Sequence, residues 1–446
     1  MTLKELTKLS SMKDYATLKN VLSEMFAADI AELLEHTDDK NSILAFRLLS
    51  KDMAVDVFAH LSTEKQSAIS KLTNEDELSE IVNGLFFDDK IDFLEEMPAN
   101  LVKKILKNST ETERKLVNQF LKYPNNSAGS LMTIEFVDLN KQMTVAQAFE
   151  RIRTTALDKE TIYTCYCVDS HRKLEGSVSL KDLIMASPET VIEDIMRKEL
   201  VSVNTHEDQE YIASVFKKYD LLSLPVVDHE RRLVGIITVD DVVKVIEKEN
   251  TEDFYLMAAV HGTTMKDKLL QVSVLNAIRF RLPWLIITLF GGLLAGGVIG
   301  VFEEALTAVI VLAMFIPVIM DMGGDVGIQT STIVIRGLAT GDINNKNVWK
   351  CLMREVVIGI TMGVICGVVI GAAGQLWQGV PMIGVAVGGA MIATITVSSF
   401  VGAFMPVIFD RFGVDPAVVS APLITTIKDI TGLVIYFGIA TLVMGI

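Results

Sequence analysis

Five long apolar runs, at about 282–302, 305–335, 352–376, 380–409 and 417–446, fill the C-terminal part of this chain. Most are long enough to cross the hydrocarbon core of a bilayer as a helix. Inside that core every backbone polar group has to find its partner within the protein, which a helix achieves within its own segment. Residues 271–446 are therefore predicted to form an α-helical transmembrane domain of five spans. Basic residues give the orientation. Arg279 and Arg281 precede the first run, Arg336, Lys346, Lys350 and Arg354 lie between the second and third, and Arg411 lies between the fourth and fifth. The loops holding Phe302-Glu-Glu and Gln375-Leu-Trp-Gln contain no Lys or Arg. The excess of positive charge on one side predicts a cytoplasmic N-terminus and an extracytoplasmic C-terminus. Met1 to Ser10 has no apolar core of the signal-peptide kind, which agrees.

Two places in these spans are unlike plain membrane helix. Asp429 lies within the apolar stretch Ala417 to Ile446, with Thr425 and Thr426 four and three residues before it. An ionised acid at membrane depth costs about 2.5–3.5 kcal/mol even on the lenient insertion scale, so it is expected to face a polar path or a partner. A cation path is one reading, and neutralisation by Lys428 is the other. In the second run, Pro317 and then Asp321-Met-Gly-Gly-Asp-Val-Gly-Ile-Gln-Thr-Ser-Thr predict an irregular segment. Irregular backbone at this depth is tolerated where it is buried in protein or lines a wet cavity.

The chain's charge sits elsewhere. From Asp267 onward there are 9 Lys and Arg and 10 Asp and Glu, which leaves 32 and 46 to residues 1–266 and nearly all of the net −15 with them. An acidic unit argues against nucleic acid and anionic lipid and favours cations as ligands. Four cysteines (Cys165, Cys167, Cys351, Cys366) offer neither a disulfide framework nor metal spacing, and a reducing compartment fits. Six scattered histidines are read as surface or packing residues.

Residues 1–126 read as short helices in succession, with Asp56-Val-Phe-Ala-His-Leu-Ser echoed by Asp92-Phe-Leu-Glu-Glu-Met-Pro 36 residues on. A small superhelical domain is predicted. In 127–250 the repeat is stronger: Val168 to Asp182 aligns without a gap to Val227 to Asp241, each copy reading strand, charged turn, strand and helix start. Ser179 and Thr238 stand as N-caps with an acid three residues on. This resembles a tandem pair of CBS domains, at about 127–192 and 193–250. Residues 241–270, acidic at first, are predicted to be a helix joining the pair to the membrane.

The order of helical acidic domain, CBS pair, connecting helix and five spans resembles the MgtE family of magnesium channels and transporters. Met322-Gly-Gly-Asp-Val-Gly-Ile-Gln, Arg336-Gly-Leu-Ala-Thr, Val414-Asp-Pro-Ala and Leu423 to Phe437 around Asp429 are similar to family motifs. Asp325 stands where the family usually has Asn, and Lys244 where an acidic sensing residue can occur. The resemblance implies a homodimer whose two-fold axis pairs two Asp429 carboxylates around Mg²⁺, a hydrated ion that prefers oxygen ligands. It further implies Mg²⁺ sensing, with closure of the pore when internal Mg²⁺ is high. The matching positions are Asp208, Glu210 and Asp220 in the second CBS unit, and Asp241, Glu249, Glu252 and Asp253 on the connecting (plug) helix. Asp415 matches at the inner end of the pore, and Asp88, Asp89 and Asp92 in the N domain. CBS pairs often take adenine nucleotides through Ser/Thr-x-x-Asp, so Ser179, Asp182, Thr238 and Asp241 are candidates for ATP, although the same residues serve as ordinary caps. No phosphate loop or hydrolytic constellation points to an enzyme. Two other readings stay open: a secondary transporter or exchanger for Mn²⁺ or Co²⁺, and a membrane-anchored CBS nucleotide sensor.

Overall fold

The computed structural model describes residues 5, 6, 9, 12–258, 273–344, 346–418 and 421–445. It divides into two compact units, Met1–Glu247 and Lys248–Ile446.

Among the described residues of the first unit, nine helices of nine or ten residues run from Tyr15–Ser23 to Glu111–Phe120. Asp38, Ser62, Asn74 and Thr110 each accept the backbone N–H three residues on, which satisfies donors that the first helical turn leaves unpaired. From Ala27–Glu35 to Ala99–Asn108 the helices pack on those two places away. Ala27–Glu35, Lys51–Ala59, Glu75–Gly84 and Ala99–Asn108 make one row, and Asp39–Arg47, Thr63–Leu72 and Phe87–Glu96 the other. The repeated Asp-apolar-apolar pattern sets Phe58 edge-on to Phe93 at 5.2 Å in the shared core.

The gapless repeat folds into two equivalent three-stranded sheets. In the first, β1 (Asp138–Asn140) runs parallel to β2 (Thr164–Val168), which runs antiparallel to β3 (Leu174–Ser179). In the second, β4 (Val203–Asn204), β5 (Ser223–Val227) and β6 (Leu233–Thr238) repeat the order. Equivalence extends to detail: Arg172 and Arg231, at the same repeat position, take the left-handed conformation at φ 63° and 62°. Asp169 and Asp228 each accept two backbone N–H groups across their turns. The lead-in segment of each copy bridges the last strand of the other, Thr133 to Ile236 and Arg197 to Ser177. Gly235 and Gly176 permit this, since a Cβ there would meet the carbonyl oxygens of Thr133 and Arg197 at 2.8 and 2.9 Å. Helix Val239–Met257 follows; the rest of the predicted connecting helix, 259–270, lies outside the described residues.

Among the described residues of the second unit, five helices are long and apolar enough to cross a membrane: Val274–Val301, Leu312–Ala339, Val348–Gln378, Pro381–Arg411 and Ala421–Met444. The glycine-rich stretch corrects the sequence-based expectation. Leu312–Ala339 runs unbroken through Pro317, Gly323, Gly324 and Gly327, and the interruption lies earlier, after a short helix Glu303–Ala308. These glycines serve close packing: the space a Cβ would need is taken by Thr394 and Ser398 at Gly323, by Lys428 at Gly324 and by Ile424 at Gly327. The third and fourth spans approach on the same principle, because a Cβ on Gly363, Gly367 or Gly371 would lie 2.7–2.9 Å from a facing backbone oxygen. Tyr436 Oη donates to the Leu312 carbonyl at 2.7 Å and ties the fifth span to the start of the second.

Candidate functional site

The fifth span carries the acid that the sequence made conspicuous. Lys428 is 5 % exposed, its Nζ lies 3.1 Å from Asp429 Oδ1, and it donates to the Met320 carbonyl at 2.5 Å. The neutralising partner weighed above is thus in place. The pairing is incomplete: Asp429 Oδ1 is buried yet receives no well-aligned hydrogen bond. The two threonines before it turn elsewhere. Thr425 donates to the Pro422 carbonyl, and Thr426, whose hydroxyl has no hydrogen bond, packs on Gly291 of the first span.

A second feature could not be seen without the helix being continuous. Asp321, Asp325, Gln329, Thr332 and Arg336 are all exposed and fall within one narrow face of Leu312–Ala339. At 1.5 Å per residue that stripe runs about 22 Å along a helix apolar enough to span a membrane. Asp325 sits in mid-helix, and Arg336 donates to Asn250.

In the first unit the fold gathers acids from three elements. Carboxylate oxygens of Asp88, Glu160 and Asp241 all lie within 4.8 Å of one another. Asp88 comes from helix Phe87–Glu96, Asp241 from the first turn of Val239–Met257, and Glu160 from the loop before β2. Burial, with the charges of Asp241, Glu160 and Asp89, pushes Asp88 well above the usual carboxylate range. Burial also raises Glu160 to about 7, eased by the nearby Thr238 hydroxyl and with the charges of Asp241 and Asp240 adding to it. Among the described residues, Asp88 Oδ1 and Glu160 Oε2 are buried without a hydrogen bond. Three oxygen donors, two of them unsatisfied, fit a hard divalent cation. Asp89 is raised by burial too, partly offset by Lys244. Lys244 occupies the rim, with Nζ 2.9 Å from Asp241 Oδ1; burial pulls it down, but Asp241 holds it above the usual lysine range.

Sequence reasoning proposed Asp88 and Asp241 and missed Glu160, which stands in a loop with no motif around it. The elevated carboxylates give a test. The folded cluster holds protons more tightly than the unfolded chain, so its contribution is lost as pH rises through the folded values. In chelator the melting temperature of the first unit is expected to fall as pH rises from about 5 to about 8, and Mg²⁺ should remove most of that fall. A melting temperature independent of pH and Mg²⁺ over that range would exclude the cluster as a cation site.

In the second unit Asp253 is pushed up to about 6 by burial and by the nearby charge of Asp415, against Arg336 and with Glu252 adding to it. Asp415 is exposed and accepts the Ala417 N–H. Asp208 and Glu210 begin helix Gln209–Tyr219 and Asp220 ends it, so they stand at opposite ends of that element. Asp92, Glu249 and Glu252 are on helices Phe87–Glu96 and Val239–Met257. Ser179 accepts the Asp182 N–H at 3.1 Å and donates to its carboxylate at 2.7 Å. Thr238 donates to Asp241 Oδ2 at 3.0 Å, so Asp241 belongs to the acidic cluster as well as to the motif.

An acidic helical unit, a paired CBS-like module and five spans with polar groups at membrane depth define a multi-pass membrane transport protein for cations rather than an enzyme. Family profiles agree: the MgtE intracellular N domain matches residues 25–126, the CBS domain 128–189 and 192–248, and the MgtE divalent cation transporter 316–439. Two relatives are the magnesium transporters MgtE of Bacillus subtilis and Thermus thermophilus. The first is 34 % identical over 95 % of this chain and 93 % of that protein, the second 36 % identical over 97 % and 96 %. A solved cytosolic domain of the Mg²⁺ channel MgtE in complex with ATP is 36 % identical, covers 55 % of this chain and 99 % of that one, and has a TM-score of 0.52. The chain belongs to the MgtE family.

Proposed function

We propose that this protein is a Mg²⁺-gated Mg²⁺ channel that works as a homodimer in the cell membrane, with its N-terminus in the cytoplasm. The carrying observation is the exposed polar stripe Asp321-Asp325-Gln329-Thr332-Arg336 on a spanning helix. Lipid would penalise such a face, and a second copy across a two-fold axis turns it into a polar path. Two Asp429 carboxylates on that axis repel each other without a cation and are stabilised with one. Four parts carry this function: the N domain at 1–126, the CBS pair at 127–250, the plug helix at 241–270 and the pore domain at 271–446. Flux into liposomes of Mg²⁺, Mn²⁺ and Co²⁺, with the protein's molar mass measured in detergent, tests the reading. Absence of Mg²⁺ flux, or a monomer that conducts, would refute it.

Sensing is assigned to Asp88, Glu160 and Asp241, with Asp89 beside them, and to Asp253 and Asp415. Cation binding there relieves repulsion and favours the closed state, so loss of internal Mg²⁺ opens the pore. Asp92, Asp208, Glu210, Asp220, Glu249 and Glu252 are proposed as further sensor residues. ATP is proposed as a second ligand of the CBS pair, on the support of the ATP-bound relative. It would have to break the Ser179–Asp182 and Thr238–Asp241 bonds, and a nucleotide titration of wild type against Asp182→Ala tests it.

Asp325 strengthens cation attraction along the stripe. Asp325→Asn is expected to keep Mg²⁺ permeation and lower single-channel conductance at low Mg²⁺ by roughly twofold, a water-screened Coulomb effect. Unchanged conductance with a lowered melting temperature would make Asp325 structural.

A further inference from the structure

The lysine beside the membrane acid has its own seat. Its Nζ is held between the Met320 carbonyl and Asp429, and its stem crosses the second span where Gly323 and Gly324 leave room. Any side chain at position 324 would collide with Nζ. A buried ammonium is costly, and here it is offset by one carboxylate and one carbonyl. With Lys428 seated, each copy contributes no net charge at Asp429.

We propose that Lys428 is a tethered counter-cation of the Asp429 carboxylate that a permeating ion has to displace, and that it thereby sets both the working Mg²⁺ concentration and the rejection of monovalent ions. The proposal rests on the reading of Asp429 as the permeation site. The physical argument is an exchange of charges. Na⁺ or K⁺ arriving at Asp429 replaces one unit charge with another and gains little, whereas a divalent ion gains the second charge. Rejection of the wrong ion by an occupied site is a form of specificity that attraction alone does not provide. The displaced ammonium keeps Met320 as acceptor. Thr394, whose hydroxyl is buried without a hydrogen bond, borders the same Gly323 and offers a further oxygen.

Two variants separate charge from structure. Lys428→Met keeps the length and removes charge and donor; Lys428→Gln removes the charge and keeps an amide that can donate to Met320. In liposomes carrying the full-length protein, both are expected to lower the Mg²⁺ concentration for half-maximal flux by roughly tenfold, a part of the screened Coulomb interaction between a divalent ion and a nearby unit charge. Both should also admit a K⁺ flux that wild type lacks. In wild type, replacing N-methylglucamine by K⁺ at constant ionic strength should leave Mg²⁺ half-saturation unchanged, and competition by K⁺ there would overturn the proposal without any variant. A shift in Met but not Gln, or a lower melting temperature with unchanged half-saturation and no K⁺ flux, would make Lys428 structural and also overturn it. Wild-type Mg²⁺ flux through Asp429→Asn would instead overturn the permeation site itself.

Discussion

Asp429→Asn is expected to cut Mg²⁺ flux by roughly a hundredfold or more, because an amide gives the hydrated ion a dipole where it had a charge. The isosteric change is the better choice over alanine. Asp429→Ala would leave the Lys428 ammonium buried beside an empty volume, and breaking a buried pair from one side costs about 3–5 kcal/mol. Asparagine still presents a carbonyl oxygen to Nζ. Flux in liposomes, read with a melting curve and the size of the detergent particle, checks it. A well-folded Asp429→Asn protein that conducts Mg²⁺ at the wild-type rate would remove this residue from the path.

Asp88→Asn should produce two effects of opposite sign. Asp88 is 8 % exposed, has an unsatisfied oxygen and faces Glu160 and Asp241. Neutralising it removes repulsion wherever the carboxylate is ionised, so the melting temperature in chelator should rise toward the alkaline end of that pH range. It also removes a ligand, so the stabilisation gained from Mg²⁺ should largely vanish; at ten times the dissociation constant that gain is about 1.4 kcal/mol. The same loss should appear in proteolysis, where wild type is protected by millimolar-scale Mg²⁺, a scale set here by the ion's reluctance to dehydrate. Flux should then persist at internal Mg²⁺ levels that close the wild-type protein. Equal Mg²⁺-dependent protection in wild type and Asp88→Asn would refute the assignment.

Parts of this molecule were legible in one dimension because the physics there is local. Hydropathy reports helices in a membrane directly. The CBS-like repeat was plain because its turn geometry, down to Arg172 and Arg231, recurs at fixed spacing. The second span was misread because glycine has two meanings in a membrane helix, broken backbone or close packing, and only the neighbour decides between them. At Gly324 the neighbour is Lys428, about a hundred residues away in sequence. The same holds for the acids. Asp88 and Asp241 carried a family resemblance, whereas Glu160 joins them through the path of a loop, which no spacing encodes.

The crossed lead-in segments of the CBS-like pair bear on how the domain folds. Thr133 borders the third strand of the second copy and Arg197 borders that of the first, so each sheet is finished by chain belonging to its twin. A solitary copy would display an unpaired strand edge, the usual template for aggregation. The two halves are therefore expected to unfold together, and a fragment carrying a single copy is expected to aggregate where the duplicated one does not.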